Sequence, residues 1–244
     1  MGAAYNNKIG ILHILIQKMK LIIFDLDQTL VDFLSVHDEV TRRLFKRLFN
    51  VDARLGEIDF AGKSLTENFR ELARLKNIAE DVFQKKSHQL LESYDATFSK
   101  SLPSDTRQYV LAGARELLSA LSRTDNIVVL YTGDSPGIVN QVFRATDLGK
   151  YFKFCLYGTE VETRADMVRL AIQKAEKITG QQFKDKNIVV IGDSTRDIEC
   201  GRLFHALTIA VATGFHSKVQ LSAAGADYLF DNLKDYKNVL KAIG

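Results

Sequence analysis

The chain has 244 residues, of which 46% are hydrophobic and only two are proline, so it can bury the core of one domain or of one domain with an insert. Its 33 basic and 30 acidic residues are interleaved and leave a net charge of +3, which argues against a nucleic-acid partner. The two cysteines, Cys155 and Cys200, lie in apolar surroundings, and we expect a reduced, cytoplasmic protein.

The N-terminal segment, residues 1–18, contains an apolar run at 9–16 that a glycine and a histidine interrupt. This run is well short of the ~20 residues that a helix needs to cross a bilayer, so we expect no membrane anchor. Met19 comes directly before the first well-formed strand. Residues 1–18 are therefore either a native extension or a start-site artefact, and they carry no functional argument.

Several short apolar runs end in polar turn residues, beginning with Leu21–Phe24. Runs of this kind are typical of strands buried on both faces of a parallel sheet. The later ones are Ile127–Tyr131, Phe154–Tyr157, Ile188–Ile191, Leu207–Val211 and Tyr228–Phe230. Segments of helical periodicity lie between them, at Ala114–Leu121, Gly137–Thr146, Asp166–Ile178, Arg196–Phe204 and Leu233–Ile243. The alternation predicts an α/β protein with a three-layer, Rossmann-like parallel sheet core.

Residues 31–110 contain no convincing strand, and their pattern is helical instead. The stretches with helical periodicity are Val36–Phe49, Ser64–Lys76 and Ala79–Phe98. A helical insert after the first strand is the simplest interpretation. The predicted domains are a Rossmann-like core at 19–32 and 108–244 and an inserted α-helical cap domain at 33–107.

Two acids follow the first strand, in a segment with the sequence Asp-Leu-Asp-Gln-Thr at 25–29. Open parallel sheets bind their ligands at the carboxyl ends of the strands. Alternate residues after a strand can point to a common side, so Asp25 and Asp27 are candidates for a nucleophile and for a proton donor and acceptor. Two close carboxylates raise each other's pKa unless they share a divalent cation, and hard oxygen ligands select Mg²⁺.

A second acidic pair, Asp193 and Asp197, follows the predicted strand at 188–191. Asp193 is a candidate for completing the metal shell, and Asp197, one helical turn further on, for orienting metal-bound water. Taken alone, each acidic pair is more typical of a turn, a helix cap or the first turn of a helix than of a site. The interpretation as a site depends on both pairs lying at the same edge of the sheet.

Anion-binding groups are predicted where the strand at 127–131 ends. Ser135 is a plausible N-cap and Pro136 suits the first helical position, so a helix begins directly after the strand. The hydroxyl of Thr132 and the free amide of Gly133, close to this helix N-terminus, are candidates for holding phosphate oxygens.

The sequence also predicts a positively charged side chain near the edge of the sheet where the strands end. Thr163 predicts a helix start that puts Arg164 in the first turn, where the helix dipole disfavours positive charge unless an anion is near. Arg164 is therefore the candidate for neutralising a phosphoryl group and Asp25, with Lys153 as the alternative. Because each motif lies at or beyond the carboxyl end of a separate predicted strand, we expect the motifs to meet.

With these motifs in this order, residues 21–244 resemble the haloacid dehalogenase-like hydrolase superfamily. Its phosphatases carry Asp-x-Asp-x-Thr, a strand-end Ser or Thr, a Lys or Arg, and a final Gly-Asp-x-x-x-Asp. The helical insert resembles the family's cap, and the whole pattern is similar to phosphoglycolate phosphatase-like members. Gln28 stands where many members have glycine, and Arg164 where lysine is commoner.

The resemblance implies a Mg²⁺-dependent phosphatase that hydrolyses a small phosphorylated metabolite, with a phosphoglycolate-like substrate as one candidate. It implies Asp25 as the nucleophile that forms an aspartyl-phosphate and Asp27 as the general acid and base. It also implies that Asp25, the carbonyl of Asp27 and Asp193 bind Mg²⁺, with Asp197 in support and Thr29 steadying the loop.

The same resemblance places Thr132, Gly133 and Arg164 on the phosphate. In capped relatives a loop of the cap reaches into the site, and residues 62–64 are the best candidate here, with Lys63 for substrate contact. A small phosphorylated metabolite is therefore the expected partner. No nucleic acid or membrane partner is expected, and the sequence does not indicate an oligomeric state.

Four other functions compete with this interpretation. A dehalogenase would have no use for Asp27 or for a metal site. A phosphonatase would want a cap lysine as a Schiff base, for which Lys63 is available, and a phosphomutase would pass the phosphoryl group to a sugar hydroxyl instead of water. A catalytically silent binding module would not need every motif acid, yet all of them are present.

Overall fold

The structure, a computed structural model, describes residues 19–244, and its centre is a six-stranded parallel sheet. The strands are β1 (Leu21–Phe24), β2 (Ile127–Thr132), β3 (Cys155–Tyr157), β4 (Ile188–Gly192), β5 (Leu207–Val211) and β6 (Tyr228–Phe230). Their order is β3-β2-β1-β4-β5-β6, and every neighbouring pair is parallel. β1 is therefore central, and the turns after β1, β2 and β4 share one edge. The predicted run at 9–16 lies outside the described residues.

Both faces of the sheet are covered, as the all-apolar strands predict. Ile22 and Phe24 of β1 belong to the larger hydrophobic cluster, while Leu21 and Ile23 belong to the cluster on the opposite face. All four side chains are fully buried. This alternation produces the three layers of the predicted fold class, which the structure confirms.

Nine α-helices are present among residues 19–244. They are α1 (Leu34–Phe49), α2 (Leu65–Leu75), α3 (Glu80–Ser101), α4 (Ala114–Leu121), α5 (Pro136–Thr146), α6 (Arg164–Thr179), α7 (Thr195–Arg202), α8 (Lys218–Ala223) and α9 (Tyr236–Ile243). The sequence did not predict α8, because six residues are too few to show a helical period. α9 begins later than predicted, since Asp235 provides its N-cap. None of these helices is both long and apolar enough to cross a bilayer.

Helices α1, α2 and α3 come between β1 and β2 in the sequence. All three fall within residues 33–107, the range predicted for the helical insert. Aromatic rings fill its interior: Phe45, Phe69, Phe83, Tyr94 and Phe98 are all buried. The insert shares one continuous hydrophobic cluster with the sheet. Its two connections to the core meet where Val31 and Val110 form an isolated antiparallel bridge. Whether the insert is a separate domain with the predicted limits stays a prediction.

Side-chain caps are present at the N-termini of helices α2, α5, α6 and α7. Ser64, Ser135, Thr163 and Ser194 each accept a hydrogen bond from a backbone amide in the first turn of α2, α5, α6 and α7 respectively. Pro136 occupies the first position of α5, as predicted. Such caps satisfy amides that would otherwise lack partners, and they fix where the chain turns from strand to helix.

We predict that Gly113→Ala destabilises the protein by about 1–3 kcal/mol. Gly113 has φ of +86°, and an added Cβ would lie 1.8 Å from the carbonyl oxygen of Leu233. The matched control is Gly56→Ala, where the added Cβ meets nothing within 4 Å and φ is not positive. Urea unfolding of both variants measures the difference. Equal stabilities would contradict the tight contact between Gly113 and Leu233.

Candidate active site

Asp25 lies at the centre of the edge, directly after β1. Its backbone amide donates to the carbonyl of Ile191 at 2.9 Å, which extends the β1–β4 pairing by one residue. The residue is 6% exposed, and burial raises the pKa of its carboxyl to about 7, against the opposite effect of Arg164. The sheet therefore holds a buried carboxylate in a fixed position.

Arg164, in the first turn of α6, is the cation that pairs with Asp25. Its Nη2 lies 2.5 Å from Asp25 Oδ1 and 2.5 Å from Asp197 Oδ1, and its Nε donates to the same oxygen of Asp197 at 2.8 Å. The guanidinium stacks on the ring of Tyr131, with Cζ 4.1 Å from the ring centroid. Lys153, the alternative cation, is exposed. The structure thus brings Arg164, and not Lys153, to Asp25.

Both carboxylate oxygens of Asp197 are engaged by protein groups. Besides Arg164, the hydroxyl of Tyr131 donates to Oδ1 at 2.5 Å, while the amide and hydroxyl of Ser194 donate to Oδ2 at 2.9 and 2.7 Å. Burial opposes the charge, yet Arg164 and these donors lower the pKa of Asp197. Asp197 thus anchors Arg164 in place, and its predicted supporting role at a metal stays a prediction.

Thr29 joins the first acidic motif to the second. Its hydroxyl lies 3.2 Å from Asp25 Oδ2 and 3.2 Å from Asp193 Oδ1. Asp193 is 4% exposed, and burial together with the nearby Asp25 charge raises its pKa well above the ordinary range. Asp25, Asp193 and Asp197 offer oxygen atoms within 4.8 Å of one another. These crowded, buried carboxylates fit a hard divalent cation such as Mg²⁺, which would relieve their repulsion.

The carboxylate of Asp27 lies beside a second polar group, formed by His37 and Asp134. His37 Nε2 of α1 lies 3.6 Å from Asp27 Oδ1 and 3.8 Å from Asp134 Oδ2. Burial disfavours a charged imidazole, but the charges of Asp134 and Asp27 raise the pKa of His37 to about 9. Burial and the Asp27 charge raise the pKa of Asp134 well above its ordinary range. The predicted acid and base thus has a titratable neighbour from the insert.

The loop after β2 is in contact with the insert. The amide of Leu65 donates to the carbonyl of Gly133 at 3.2 Å. A Cβ on Gly133 would lie 2.1 Å from the carbonyl oxygen of Lys63, so only glycine permits this approach. Thr132 is buried, and its hydroxyl accepts a hydrogen bond from the backbone amide of Asp134 at 3.2 Å. The insert therefore closes directly over the predicted phosphate-binding loop.

A cavity lies between the sheet edge and the insert. The predicted residues that line it are Asp25, Asp27, Lys63, Thr132, Gly133, Arg164 and Asp193. Lys63 is held by an ion pair with Glu71 of α2. Asn68 also faces the cavity, and its side-chain carbonyl has no hydrogen-bond partner among the described residues. One cavity thus collects the motifs from β1, β2, β4 and α6.

Gln28, one of the two departures from the family pattern, has φ of +60°. This left-handed conformation costs free energy for any residue with a Cβ, which gives glycine an advantage there. The side chain offsets the strain by donating to Asp32 Oδ1 at 2.6 Å. Gln28 is therefore compatible with the turn that carries Asp27.

The family model for haloacid dehalogenase-like hydrolases matches residues 22–211. The chain belongs to the haloacid dehalogenase-like hydrolase family. A curated phosphoglycolate phosphatase of Synechococcus elongatus is 22% identical over 224 residues, which cover 89% of this chain and 95% of that protein. All the predicted catalytic, phosphate and metal residues of this haloacid dehalogenase-like chain lie within the matched segment.

Solved structures share the fold of this haloacid dehalogenase-like chain. The β-phosphoglucomutase of Clostridium difficile superposes with a TM-score of 0.77 at 15% identity, covering 93% of this chain and 97% of that one. A structure titled a predicted phosphoglycolate phosphatase, from Haemophilus somnus, has a TM-score of 0.72 at 19% identity and covers 91% and 98%. At these identities the likeness establishes the fold.

Three residues at the site were not predicted from the sequence: His37, Asp134 and Tyr131. His37 looks like one more residue on the inner face of a helix, and Tyr131 like the last residue of an apolar strand. Asp134 follows Thr132-Gly133 directly, so its place after a strand was a usable signal. The other two become visible only through contacts with residues distant in the chain.

We predict that Tyr131→Phe lowers the free energy of unfolding by about 1.5–3 kcal/mol, because it removes a hydrogen bond to a charged carboxylate. The hydroxyl of Tyr131 is buried against Asp197, whereas Tyr228 is 44% exposed. Tyr228→Phe is therefore the control, and we expect it to change stability by less than about 0.5 kcal/mol. Denaturant titration measures both. A Tyr131→Phe variant as stable as the parent would show that Arg164 and Ser194 hold Asp197 without the phenol.

Proposed function

We propose that this protein is a Mg²⁺-dependent phosphatase that hydrolyses a small phosphorylated metabolite through an aspartyl-phosphate on Asp25. The observation that carries the proposal is the pairing of buried Asp25 with Arg164 at one wall of a cavity that Asp27, Thr132 and Asp193 also line. Family membership and the similarity to a phosphoglycolate phosphatase support the same conclusion.

Asp25 is the nucleophile of the proposed reaction. Its carboxylate attacks phosphorus, a bond forms between the carboxylate oxygen and phosphorus, and the bond from phosphorus to the leaving oxygen breaks. Burial alone would favour the protonated, unreactive carboxylic acid. The guanidinium of Arg164 counteracts this effect and supports the ionised form. Fixing the carboxylate by the sheet removes part of the entropic cost of attack.

Asp27 is the proposed general acid and base. It donates a proton to the leaving oxygen in the first step and accepts a proton from the water that attacks the aspartyl-phosphate in the second. Inorganic phosphate and free Asp25 are the products of that second step. The side chain of Asp27 is 31% exposed, so it is open to the cavity where a leaving group and then water would lie.

Arg164, Thr132 and Gly133 are the proposed phosphate ligands. Arg164 donates in a fixed plane, which suits the oxygens of a phosphoryl group. Asp25, the carbonyl of Asp27 and Asp193 are the proposed ligands of Mg²⁺, with Asp197 in support. A bound Mg²⁺ would supply positive charge for the phosphoryl oxygens and for the carboxylates around them.

The helical insert is proposed to recognise the rest of the substrate. It contributes apolar side chains, among them Leu34, Leu55 and Phe60, together with Lys63 and Asn68. These groups exclude water and leave few polar contacts, which favours a small leaving group. A phosphoglycolate-like substrate meets this condition, and Lys63 is the proposed contact for its negative charge.

We predict that Asp25→Asn lowers Mg²⁺-dependent hydrolysis of p-nitrophenyl phosphate by at least about 10³-fold, because an amide cannot attack phosphorus. The matched control is Asp125→Asn, since Asp125 is exposed in the loop before β2. Circular dichroism establishes that both variants fold. Undiminished turnover by Asp25→Asn would remove Asp25 from the nucleophile role.

The same assay separates hydrolysis from phosphoryl transfer. With a panel of phosphorylated metabolites, a phosphatase releases inorganic phosphate in proportion to the substrate consumed. A phosphomutase forms an isomeric phosphate ester without net release. Isomer formation without phosphate release would overturn the proposed hydrolysis while leaving Asp25 as the nucleophile.

We predict that Asp193→Ala raises the Mg²⁺ concentration needed for half-maximal activity by at least about 10-fold, because it removes one carboxylate from the ion. Mg²⁺ is also expected to raise the melting temperature of the parent protein more than that of this variant. Asp125→Ala serves as the control for the loss of one negative charge. An unchanged metal titration in Asp193→Ala would contradict the assigned metal site.

A further inference from the structure

Three buried polar atoms beside the Asp25 site have no hydrogen-bond partner among residues 19–244: Asp27 Oδ1, His37 Nε2 and Asp134 Oδ2. His37 and Asp134 are each 5% exposed. A buried polar atom without a partner costs free energy, and such atoms are rare in folded proteins. Here three of them converge on one point, where a single cation would interact with all three.

The spacing of these atoms fits a metal ion better than a set of direct hydrogen bonds. Nε2 is 3.6 Å from Asp27 Oδ1 and 3.8 Å from Asp134 Oδ2, beyond hydrogen-bond length. All three atoms lie within 4.8 Å of one another. A tetrahedral ion with bonds of about 2.0 Å separates its ligand atoms by about 3.3 Å. The two distances from Nε2 therefore exceed this tetrahedral separation by only a few tenths of an ångström.

The surroundings of His37 keep its Nε2 pointed at the two carboxylates. Tyr94 donates its hydroxyl hydrogen to the carbonyl of His37 at 3.1 Å, and its oxygen lies 3.1 Å from Nδ1. Thr41 donates to the same carbonyl at 2.7 Å. This pattern makes Nδ1 the donor to Tyr94, so Nε2 carries either the second proton of the imidazolium or, with a metal bound, a lone pair directed at the ion. Metal-binding histidines are held by an outer hydrogen bond of this kind.

Charge and donor type select the class of ion. When both carboxylates are ionised they carry two negative charges; a proton on His37 then leaves one uncompensated, while a divalent ion with a neutral imidazole leaves none. One nitrogen with two carboxylate oxygens is a ligand set for Zn²⁺, whereas Mg²⁺ prefers oxygen alone. All three side chains line the cavity, so a fourth position faces space that water can fill.

We propose that Asp27, His37 and Asp134 form a second metal site, which binds Zn²⁺ or a similar transition-metal ion beside the proposed Mg²⁺ site, to which Asp27 contributes only its carbonyl. Binding displaces the proton from Nε2 where one is present. The ion engages the carboxylate of Asp27, which then cannot donate or accept a proton. This inhibitory consequence rests on the proposed function, whereas the binding itself does not.

Equilibrium dialysis of the full chain against Zn²⁺ in excess Mg²⁺ tests the site. We expect one Zn²⁺ per chain that Mg²⁺ does not displace, and Co²⁺ in its place should show the strong visible bands of four-coordinate cobalt. His37→Gln should lower the affinity for Zn²⁺ by about 100-fold, and Asp134→Asn by at least about 10-fold. Tyr94→Phe, which removes the hydroxyl bonded to Nδ1 of His37, should also lower it by at least about 10-fold. The control is His88→Gln, since the side chain of His88 is 84% exposed.

Each outcome decides the proposal. No Zn²⁺ retained by the parent protein in excess Mg²⁺, or undiminished binding in both His37→Gln and Asp134→Asn, overturns it. Circular dichroism identifies a variant that fails to fold, and Asp134→Asn then replaces His37→Gln as the deciding variant. Zn²⁺ binding by a protein that shows no phosphatase activity in Mg²⁺ alone, before Zn²⁺ is added, would sustain the site and overturn the proposed function instead. Zn²⁺ binding with unaltered hydrolysis in the same sample would overturn the assigned contact with Asp27.

Discussion

The arrangement at the sheet edge depends on how this protein keeps negative charge out of water. Asp25, Asp193 and Asp197 bring three carboxylates into one buried cluster, and Arg164 brings a single positive charge. With all three carboxylates ionised, the cluster therefore has a net charge of −2, which one bound divalent cation would neutralise. A catalytic metal and a stabilising metal would then be the same ion, since its charge opposes the effect of burial and of the neighbouring carboxylates, which raise the pKa of Asp25 and Asp193.

The helical insert makes this electrostatic arrangement effective. Charges interact more strongly where water is excluded, and the insert supplies apolar side chains over the cavity while sharing one hydrophobic cluster with the sheet. It also supplies His37, so the polar group around Asp27 combines residues from the insert with residues from the core. The insert and the core thus both contribute side chains to the surroundings of Asp27, although these residues are far apart in the sequence.

The sequence predicted the fold and the position of the motifs because both depend on local patterns. All-apolar runs such as Leu21–Phe24 indicate buried parallel strands, and an acid directly after such a run must lie at the ligand-binding edge. Which groups pair there depends on packing between distant segments. The phenol of Tyr131 bonds to Asp197, 66 residues further along, and no local pattern indicates this. The role of His37 likewise cannot be predicted from the sequence, because it depends on α1 packing against the turn after β2, where Asp134 lies.

The neighbour of Asp197 gives the first turn of α7 a second role. Arg196 donates to the carbonyl of Ala61 at 2.7 Å and to the carboxylate of Asp59 at 2.8 Å, both in the loop before α2. Adjacent residues of one helical turn thus hold the covering loop and the arginine that faces the nucleophile. The loop that covers the cavity and the arginine beside the nucleophile therefore share one point of attachment, the first turn of α7.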